Sequence, residues 1–132
     1  MRGNHDKRKI IIGDLTTVCH GGQFHCWSDN SYIKIGNDCM FSYETDIMNG
    51  DAHPIYDINT NNRLNYGKYV EIGEHCWIGA KVTITKNVKL AYGTIIGTRS
   101  VISKSVDEPN CILIGNPQQI IKKNVYWTRT CD

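Results

Sequence analysis

A six-residue repeat is the feature that most constrains how this chain can fold. Stepping by six through the second half of the chain meets only branched aliphatic residues: Ile72, Ile78, Ile84, Leu90, Ile96 and Ile102. The residue after each aliphatic is small, and the residue four positions after each one is small or β-branched. Chance is a poor explanation for three columns that agree over six successive repeats.

A period of six fits neither an α-helix nor a simple alternating strand. It suits a chain that turns a corner every six residues and points one aliphatic side chain inward at each corner. Neighbouring coils then stack their aliphatics into a continuous core, as in a β-solenoid. We expect the small residue beside each aliphatic, such as Gly73 or Gly79, to permit the tight turn with a positive φ angle.

The repeat also runs through the first part of the chain, where its column holds Ile12, Val18, Phe24, Ile35, Phe41 and Ile47. The step from Phe24 to Ile35 is one residue short of two repeats, so we expect a bulge or loop at about residues 27–31. A solenoid by itself defines a fold and not a function.

The repeat stops after Ile47 and resumes at Ile72. The segment between them is polar and rich in asparagine and cannot supply the aliphatic column, so we predict an extruded loop over about residues 48–70. Long loops in compact domains are usually functional or disordered. This loop contains Asp51, His53, Tyr56 and Arg63, a mixture that is typical of a site.

The C-terminal segment shows a different pattern. From Pro117 onward, Ile120, Ile121, Asn124 and Trp127 fall roughly on one side of a short amphipathic helix. The sequence therefore predicts an all-β parallel β-helix over residues 1–116 and a helical tail over residues 117–132.

Composition excludes several classes of function. A formal net charge of +2 is too small to favour nucleic acid or an anionic membrane. The basic N-terminus is followed by only three isoleucines, and no stretch approaches the length of a membrane span, so we expect a cytoplasmic protein. The six cysteines form no CxxC pair, which favours reduced, mostly buried thiols.

Several motifs together resemble the hexapeptide-repeat O-acetyltransferases, which include galactoside, maltose and surface-polysaccharide acetyltransferases. These motifs are DAHPIYD, the downstream Arg63, VEIGEHCWIGAKVTI, GTIIGTRSVISKSV and ILIGNPQQIIKK, and the resemblance covers about residues 33–127. It implies a left-handed parallel β-helix with three hexapeptides per coil, and a homotrimer with its active sites between subunits. The implied reaction moves an acetyl group from acetyl-CoA to a hydroxyl of a sugar or polysaccharide precursor, and the resemblance implies no metal.

The resemblance also assigns roles to residues. It makes His53 the general base, since imidazole exchanges a proton near neutral pH. Asp51 is a catalytic candidate that would orient His53, bind the acceptor or cap the loop. The Ala80 N–H matches the donor that stabilises the oxyanion formed on the thioester carbonyl.

The positions that match the family's acyl-donor site are Ala80, Thr98, Ser103, Lys104, Gln119 and Lys122. We expect Trp77 to face outward from its coil, where it would line the cleft that binds the donor or pack a trimer contact. Tyr56 and Arg63 are candidates for acceptor binding. The family usually has alanine and glycine at the positions of Thr98 and Arg99, and often a basic residue at that of Gln119. Arg99 and Lys123 are alternative sources of charge for the donor phosphates.

Three other functions remain open. Some left-handed β-helices are zinc carbonic anhydrases, but His5, His20, His25, His53 and His75 show no triad like that of the family. A non-catalytic trimeric scaffold or binding subunit fits the repeat equally well. Transfer to an amine, on an amino sugar or an antibiotic, would use a similar base and donor.

Overall fold

The computed structural model describes residues 7–131, which form a stack of short strands, parallel except for the last one, and contain no α-helix. Each complete coil contributes one strand to each of three sheets, so the chain winds as a three-sided prism. Four complete coils lie within the described residues.

The three sheets run along the three sides of the prism. Sheet 1 contains β1 (Lys9–Ile12), β4 (Tyr32–Ile35), β7 (Tyr69–Ile72) and β10 (Val88–Leu90), in that spatial order. Sheet 2 contains β2 (Thr17–Val18), β5 (Met40–Phe41), β8 (Trp77–Ile78), β11 (Ile95–Ile96), β13 (Cys111–Gly115) and β14 (Gln118–Lys123). Sheet 3 contains β3 (Gln23–His25), β6 (Asp46–Met48), β9 (Thr83–Ile84) and β12 (Val101–Ile102).

The strand register confirms the aliphatic column. Ile35 pairs with Ile72 in sheet 1, and Phe41 pairs with Ile78 in sheet 2, so that each core side chain lies above its equivalent in the next coil. The column residues from the second coil onward are 0–3% exposed. Each such side chain contributes about 1.5–3 kcal/mol through burial.

The role expected for the small residues is wrong in one respect. Positive φ angles occur three residues after most of the aliphatics, for example at His75 (54°), Lys81 (57°) and Arg99 (63°), and not at the residue beside them. Gly79 serves a different purpose, because a Cβ there would lie 2.5 Å from the Ile96 carbonyl oxygen of the next coil. The glycine therefore permits close approach between coils.

The two interruptions of the repeat lie where the sequence predicts them. Residues 26–31 form a short irregular segment between β3 and β4, with a positive φ of 52° at Asn30. Residues 49–68 form a long loop between β6 and β7.

The predicted C-terminal helix is wrong. Residues 118–123 form β14, which pairs antiparallel with β13, and Ile121 is the extra residue at a bulge between these two strands. The free edge of β13 offers backbone partners that a helix would leave unused. The residues after β14 then run back along the outside of the coils, where Trp127 becomes buried.

Three of the cysteines, Cys39, Cys76 and Cys111, are buried, whereas Cys19 and Cys131 are exposed and Cys26 is partly buried. All six are free thiols. Residues 7–131 contain no helix that is long and apolar enough to cross a membrane.

Candidate functional site

The loop of residues 49–68 folds into a small hairpin outside the coil stack. Tyr56 and Arg63 form an antiparallel bridge across it. At the tip, the Asp57 carboxylate accepts the N–H of Thr60 at 2.9 Å. Hydrogen bonds of this kind, first from Thr60, lower the pKa of Asp57. The loop that the sequence predicts as a site thus has a defined internal structure.

Asn65 is the buried hydrogen-bonding centre of this loop and is only 7% exposed. Its Oδ1 accepts the N–H of Ile55 at 2.7 Å. Its Nδ2 donates to Asp51 Oδ2 and to the His53 carbonyl, both at 2.9 Å. The sequence analysis missed Asn65, because an asparagine among several others in a loop is equally typical of a turn.

Asp51 joins the loop to the coil stack. Its Oδ2 lies 2.9 Å from Lys86 Nζ, and Lys86 belongs to the corner that follows β9. Burial raises the pKa of Asp51, but the hydrogen bonds from Lys86 and Asn65 outweigh it and lower the pKa overall. The described contacts therefore make Asp51 an anchor of the loop.

The base of the loop closes on the irregular segment before β4. Asn49 is fully buried, accepts the Trp27 N–H at 3.0 Å and donates to Ser31 Oγ at 2.9 Å. Gly67 packs against it so closely that a Cβ would lie 2.0 Å from the Asn49 carbonyl oxygen. Only glycine fits there. Asn49 and Gly67 are two further residues that the sequence analysis did not single out.

His53 is exposed at the start of this hairpin. Its main-chain N–H donates to the Asp51 carbonyl at 2.8 Å, and its own carbonyl accepts from Asn65. The backbone on both sides of the imidazole is therefore fixed, while the ring faces solvent. A general base requires this combination of a set position and access to a substrate proton.

The two candidates for acceptor binding lie opposite each other in the hairpin. Tyr56 is 54% exposed. The Arg63 guanidinium lies 4.7 Å from the centroid of the Tyr66 ring, and Arg63 Nε donates to Asn65 Oδ1 at 3.3 Å. Arg63 thus anchors the loop and at the same time presents its guanidinium beside an aromatic face.

Ala80 and Thr98 occupy equivalent corners of adjacent coils. The N–H groups on either side of Ala80 are bonded, from Gly79 to the Ile96 carbonyl at 2.9 Å and from Lys81 to the Tyr43 carbonyl at 3.0 Å. The Ala80 N–H between them has no acceptor within residues 7–131, and the same is true of the Thr98 N–H. Such corners leave donors that are available to a ligand.

Trp77 lies on the outer face of β8 and is 37% exposed. Its ring lies 6.1 Å from that of Trp127, which is only 5% exposed. Trp127 stacks on the His75 ring at 4.2 Å, and its Nε1 donates to the His75 carbonyl at 2.8 Å. The sequence analysis missed this neighbour of Trp77, because it expected a helix there.

The remaining donor candidates surround the turn between the last coil and β14. Gln118 bridges two of them, since its Oε1 accepts the Ser103 N–H at 3.1 Å and its Nε2 donates to the Lys104 carbonyl at 2.7 Å. Gln119 and Lys122 follow on β14 and are exposed. Gln118, which the sequence analysis did not name, is therefore the residue that organises this end.

Sheet 2 connects Trp77 to Lys122. The register aligns Trp77 with Ile95, Ile95 with Ile112, and Ile112 with Lys122. Three strand spacings of about 4.8 Å separate the two ends of this row by roughly 14 Å. The donor candidates therefore follow one side of the prism and do not form a compact cluster.

The base and the donor positions lie on different corners within one chain. The loop that carries His53 follows sheet 3 and precedes sheet 1, whereas Ala80 and Thr98 lie between sheet 2 and sheet 3. The chain by itself places His53 in the same loop as Asp51, Tyr56 and Arg63, and its main-chain N–H donates to the Asp51 carbonyl. It does not bring this group to the corner of Ala80.

The histidines provide no support for a metal centre. No group of three His, Cys, Asp or Glu side chains that could hold a metal ion occurs within residues 7–131. His75 instead pairs with Asp38 at 2.8 Å, and His25 pairs with Asp46 at 2.9 Å. His5, the remaining candidate in the zinc alternative, lies outside the described residues.

Comparison with known proteins gives close relatives. The chain is 38% identical over 122 residues to the polysialic acid O-acetyltransferase of Escherichia coli O1:K1. The matched region spans 92% of this chain and 39% of that protein. It is 42% identical over 123 residues to a chloramphenicol acetyltransferase of Klebsiella aerogenes, and this match spans 89% of this chain and 53% of that protein. No family model matches the chain.

Comparison with solved structures agrees with the sequence comparison. The crystal structure of the polysialic-acid-specific acetyltransferase NeuO superposes with a TM-score of 0.86 at 38% identity, over 93% of this chain and 56% of that chain. The chain is therefore a left-handed parallel β-helix, and in sequence and fold it is similar to the polysialic acid O-acetyltransferases. It spans about half the length of these relatives or less.

Proposed function

We propose that this chain transfers an acetyl group from acetyl-CoA to a hydroxyl group of a saccharide. The observation that carries the proposal is the loop of residues 49–68, which presents an exposed imidazole from a backbone fixed by Asn65. The likeness to polysialic acid O-acetyltransferases supports it, because the matched region includes most of this chain. Acetyl-CoA is a co-substrate in this proposal, and no step uses a metal.

In the proposed reaction, His53 removes the proton of the acceptor hydroxyl as its oxygen attacks the thioester carbonyl carbon. A C–O bond forms, and the negative charge that develops on the carbonyl oxygen accepts a hydrogen bond from the Ala80 N–H. The C–S bond then breaks, and the imidazolium of His53 returns its proton to the thiolate of CoA. Asp51 acts as a positioning residue, since its contacts with Asn65 and Lys86 hold the loop.

The donor would lie along the side of sheet 2. The available N–H groups of Ala80 and Thr98 suit the amide-containing arm of CoA, and Trp77 provides an apolar wall beside them. Ser103, Lys104, Gln119 and Lys122 lie towards the other end of this row, where cationic side chains suit phosphates. Gln118 holds the Ser103 and Lys104 main chain for this purpose.

A second copy of the chain would complete the site. His53 and Ala80 lie at different corners of one prism, so the base of one protomer must meet the donor corner of a neighbour. Three copies related by a closed rotation would give each base one such partner. We therefore propose a homotrimer with three sites between subunits, and its cytoplasmic location stays a prediction.

The nature of the acceptor divides the proposal into two candidates. The polysialic acid enzymes favour a polysaccharide, whereas the chloramphenicol acetyltransferase of Klebsiella aerogenes, at 42% identity, favours a small antibiotic. We favour the saccharide, because two polysialic acid enzymes and the structure of NeuO all match. The antibiotic is the second candidate, and transfer to an amino sugar is a variant of the first.

The test follows the release of the CoA thiol from acetyl-CoA with oligosialic acid, neutral sugars, amino sugars and chloramphenicol as acceptors. We expect release that depends on a saccharide and falls by about 10²–10⁴-fold in His53→Ala, with an unchanged sedimentation coefficient. Calorimetric titration with CoA measures donor binding independently. Donor binding without transfer to any acceptor, or full activity in His53→Ala, contradicts the proposed reaction, and failure to bind CoA favours the non-catalytic scaffold.

A further inference from the structure

The corner between sheet 2 and sheet 3 presents one equivalent residue from each coil, and these residues stack in a single column. From the first coil upward, they are His20, Tyr43, Ala80 and Thr98. Main-chain hydrogen bonds fix this order, since the Lys81 N–H donates to the Tyr43 carbonyl at 3.0 Å and the Arg99 N–H donates to the Ala80 carbonyl at 2.9 Å. Tyr43 therefore lies directly below Ala80, on the side away from Thr98.

The Tyr43 ring is supported from below. It stacks on the His20 ring, with the two centroids 5.7 Å apart and the two planes 6° apart. The next residue is also fixed, because the Glu44 N–H donates to the His20 carbonyl at 3.0 Å and the Glu44 carboxylate lies 3.7 Å from Lys81 Nζ. Tyr43 is 45% exposed, so part of its surface is available to a ligand at the same corner.

The direction of a bound donor follows from the proposed site. Lys104 and Lys122, the cationic side chains that suit its phosphates, come after the strands of the fourth coil. The arm of CoA would therefore run down the corner from Thr98 to Ala80. The carbonyl carbon of a thioester bears the sulfur on one side and the acyl chain on the other, so the acyl chain would point towards Tyr43.

The space between Ala80 and Tyr43 suits a short acyl chain. Ala80 has only a methyl side chain, so the corner is open beside its N–H and closes again at the tyrosine ring of the coil below. Adjacent coils are about 4.8 Å apart. A terminal methyl group in contact with the ring needs a carbon–carbon distance of about 3.5–4.0 Å. One coil spacing therefore leaves little room for additional methylene groups.

We infer that Tyr43 determines the length of the acyl group that this chain transfers, and that its ring, supported by His20, restricts the donor to acetyl-CoA. The inference rests on the proposed acetyl transfer, since it uses the donor position at Ala80. A longer acyl group would have to displace the ring or lose its hydrogen bond to the Ala80 N–H, and either change weakens binding.

The experiment measures donor binding and needs no acceptor. CoA, acetyl-CoA and butyryl-CoA are titrated calorimetrically into the full chain, and the ratio of the dissociation constants of the two thioesters is the readout. The variants are Tyr43→Ala, which removes the ring, and Tyr43→Phe, which retains it. Tyr92→Ala is the matched control, because Tyr92 is 53% exposed and stacks on His75 at 5.9 Å, but lies at the corner between sheet 1 and sheet 2.

We expect the wild type, Tyr43→Phe and Tyr92→Ala to bind acetyl-CoA about tenfold more tightly than butyryl-CoA, and Tyr43→Ala to bind the two within about threefold of each other. Tyr43→Val gives the same test if Tyr43→Ala does not fold. Equal binding of the two thioesters by the wild type, or a preference that survives without the ring, overturns the inference and leaves the proposed transfer intact. Failure of the wild type to bind CoA or either thioester contradicts the donor site itself.

Discussion

The coil stack and the loop of residues 49–68 are built by different forces. In the stack, the buried hydrophobic side chains between Ile33 and Leu113 that form the core cluster are 0–3% exposed. Each coil repeats the contacts of the one before it. In the loop, all of residues 51–56 are exposed, and the buried contacts are polar ones made by Asn49 and Asn65. The stack therefore carries the stability of the molecule, and the loop carries its candidate chemistry. Substitutions should separate the two properties.

The largest expected effect on stability comes from a matched pair of isoleucines. Ile78 is fully buried in the second side of the stack, whereas Ile58 at the tip of the loop is 96% exposed. We expect Ile78→Ala to lower the free energy of unfolding by about 2–5 kcal/mol, through lost burial and a cavity. Ile58→Ala should change it by less than about 0.5 kcal/mol.

Urea denaturation at one fixed protein concentration measures both variants, since any oligomer links stability to concentration. The comparison between stack and loop fails if Ile58→Ala costs as much as Ile78→Ala. Such a result would mean that the loop tip is buried against another protomer.

The C-terminal tail sharpens the comparison, because it stabilises the stack with polar contacts. Arg129 donates to the Leu15 and Cys39 carbonyls at 3.1 and 2.9 Å and to Thr17 Oγ1 at 3.0 Å, and so connects neighbouring coils. We expect Arg129→Ala to destabilise the chain by about 1 kcal/mol. Thermal unfolding of Arg129→Ala beside Arg99→Ala, an exposed corner arginine, measures the difference. Equal melting temperatures for the two variants would contradict the stabilising role of Arg129 in the C-terminal tail.

Periodicity explains why the stack and the loop boundaries could be predicted from the sequence. The aliphatic column is a local pattern, and its interruption after Ile47 marks the loop without any knowledge of contacts. Asn65 could not be found in this way, because its partners Asp51 and Ile55 are set by the folded loop. The β14 strand could not be found either, since its amphipathic pattern fits a helix and only the free edge of β13 decides between them.

Asn65 should separate activity from stability most clearly. Asn65→Ala leaves the Ile55 N–H without its acceptor and releases the main chain of His53. We expect about 1–2 kcal/mol of local destabilisation, seen as faster amide exchange in residues 51–65 and little change in global unfolding. The rate constant kcat for acetyl transfer should fall at least about tenfold, because the imidazole loses its set position.

Asn59 provides the control for this variant, since its side chain is exposed at the tip of the same loop. Asn59→Ala should leave both exchange and kcat close to those of the wild type. Slow exchange in Asn65→Ala, together with an unchanged kcat, would show that the loop does not depend on this amide.

The smallest expected effect tests the link between the loop and the stack. The pKa of Asp51 is lower in the folded chain than in the unfolded chain, chiefly because the hydrogen bonds from Lys86 and Asn65 exceed the effect of burial. The folded state therefore binds fewer protons at acidic pH, so the stabilisation is present above the unfolded pKa of about 3.9 and is lost as the pH falls through the folded pKa. For a partly exposed pair such as Asp51 and Lys86, this amounts to about 0.2–1 kcal/mol.

We accordingly expect Lys86→Met to destabilise the chain by the same amount from about pH 7 to pH 5, and by progressively less below about pH 4. Urea denaturation across this range measures the difference, and the Asp51→Asn background should abolish it. A difference that stays constant down to pH 3, or that persists in Asp51→Asn, would assign the effect of Lys86 to its packing and not to its charge. If the pair instead contributes much more than about 1 kcal/mol, the loop is coupled to the stack through Lys86, and variants of the loop will report on both stability and activity.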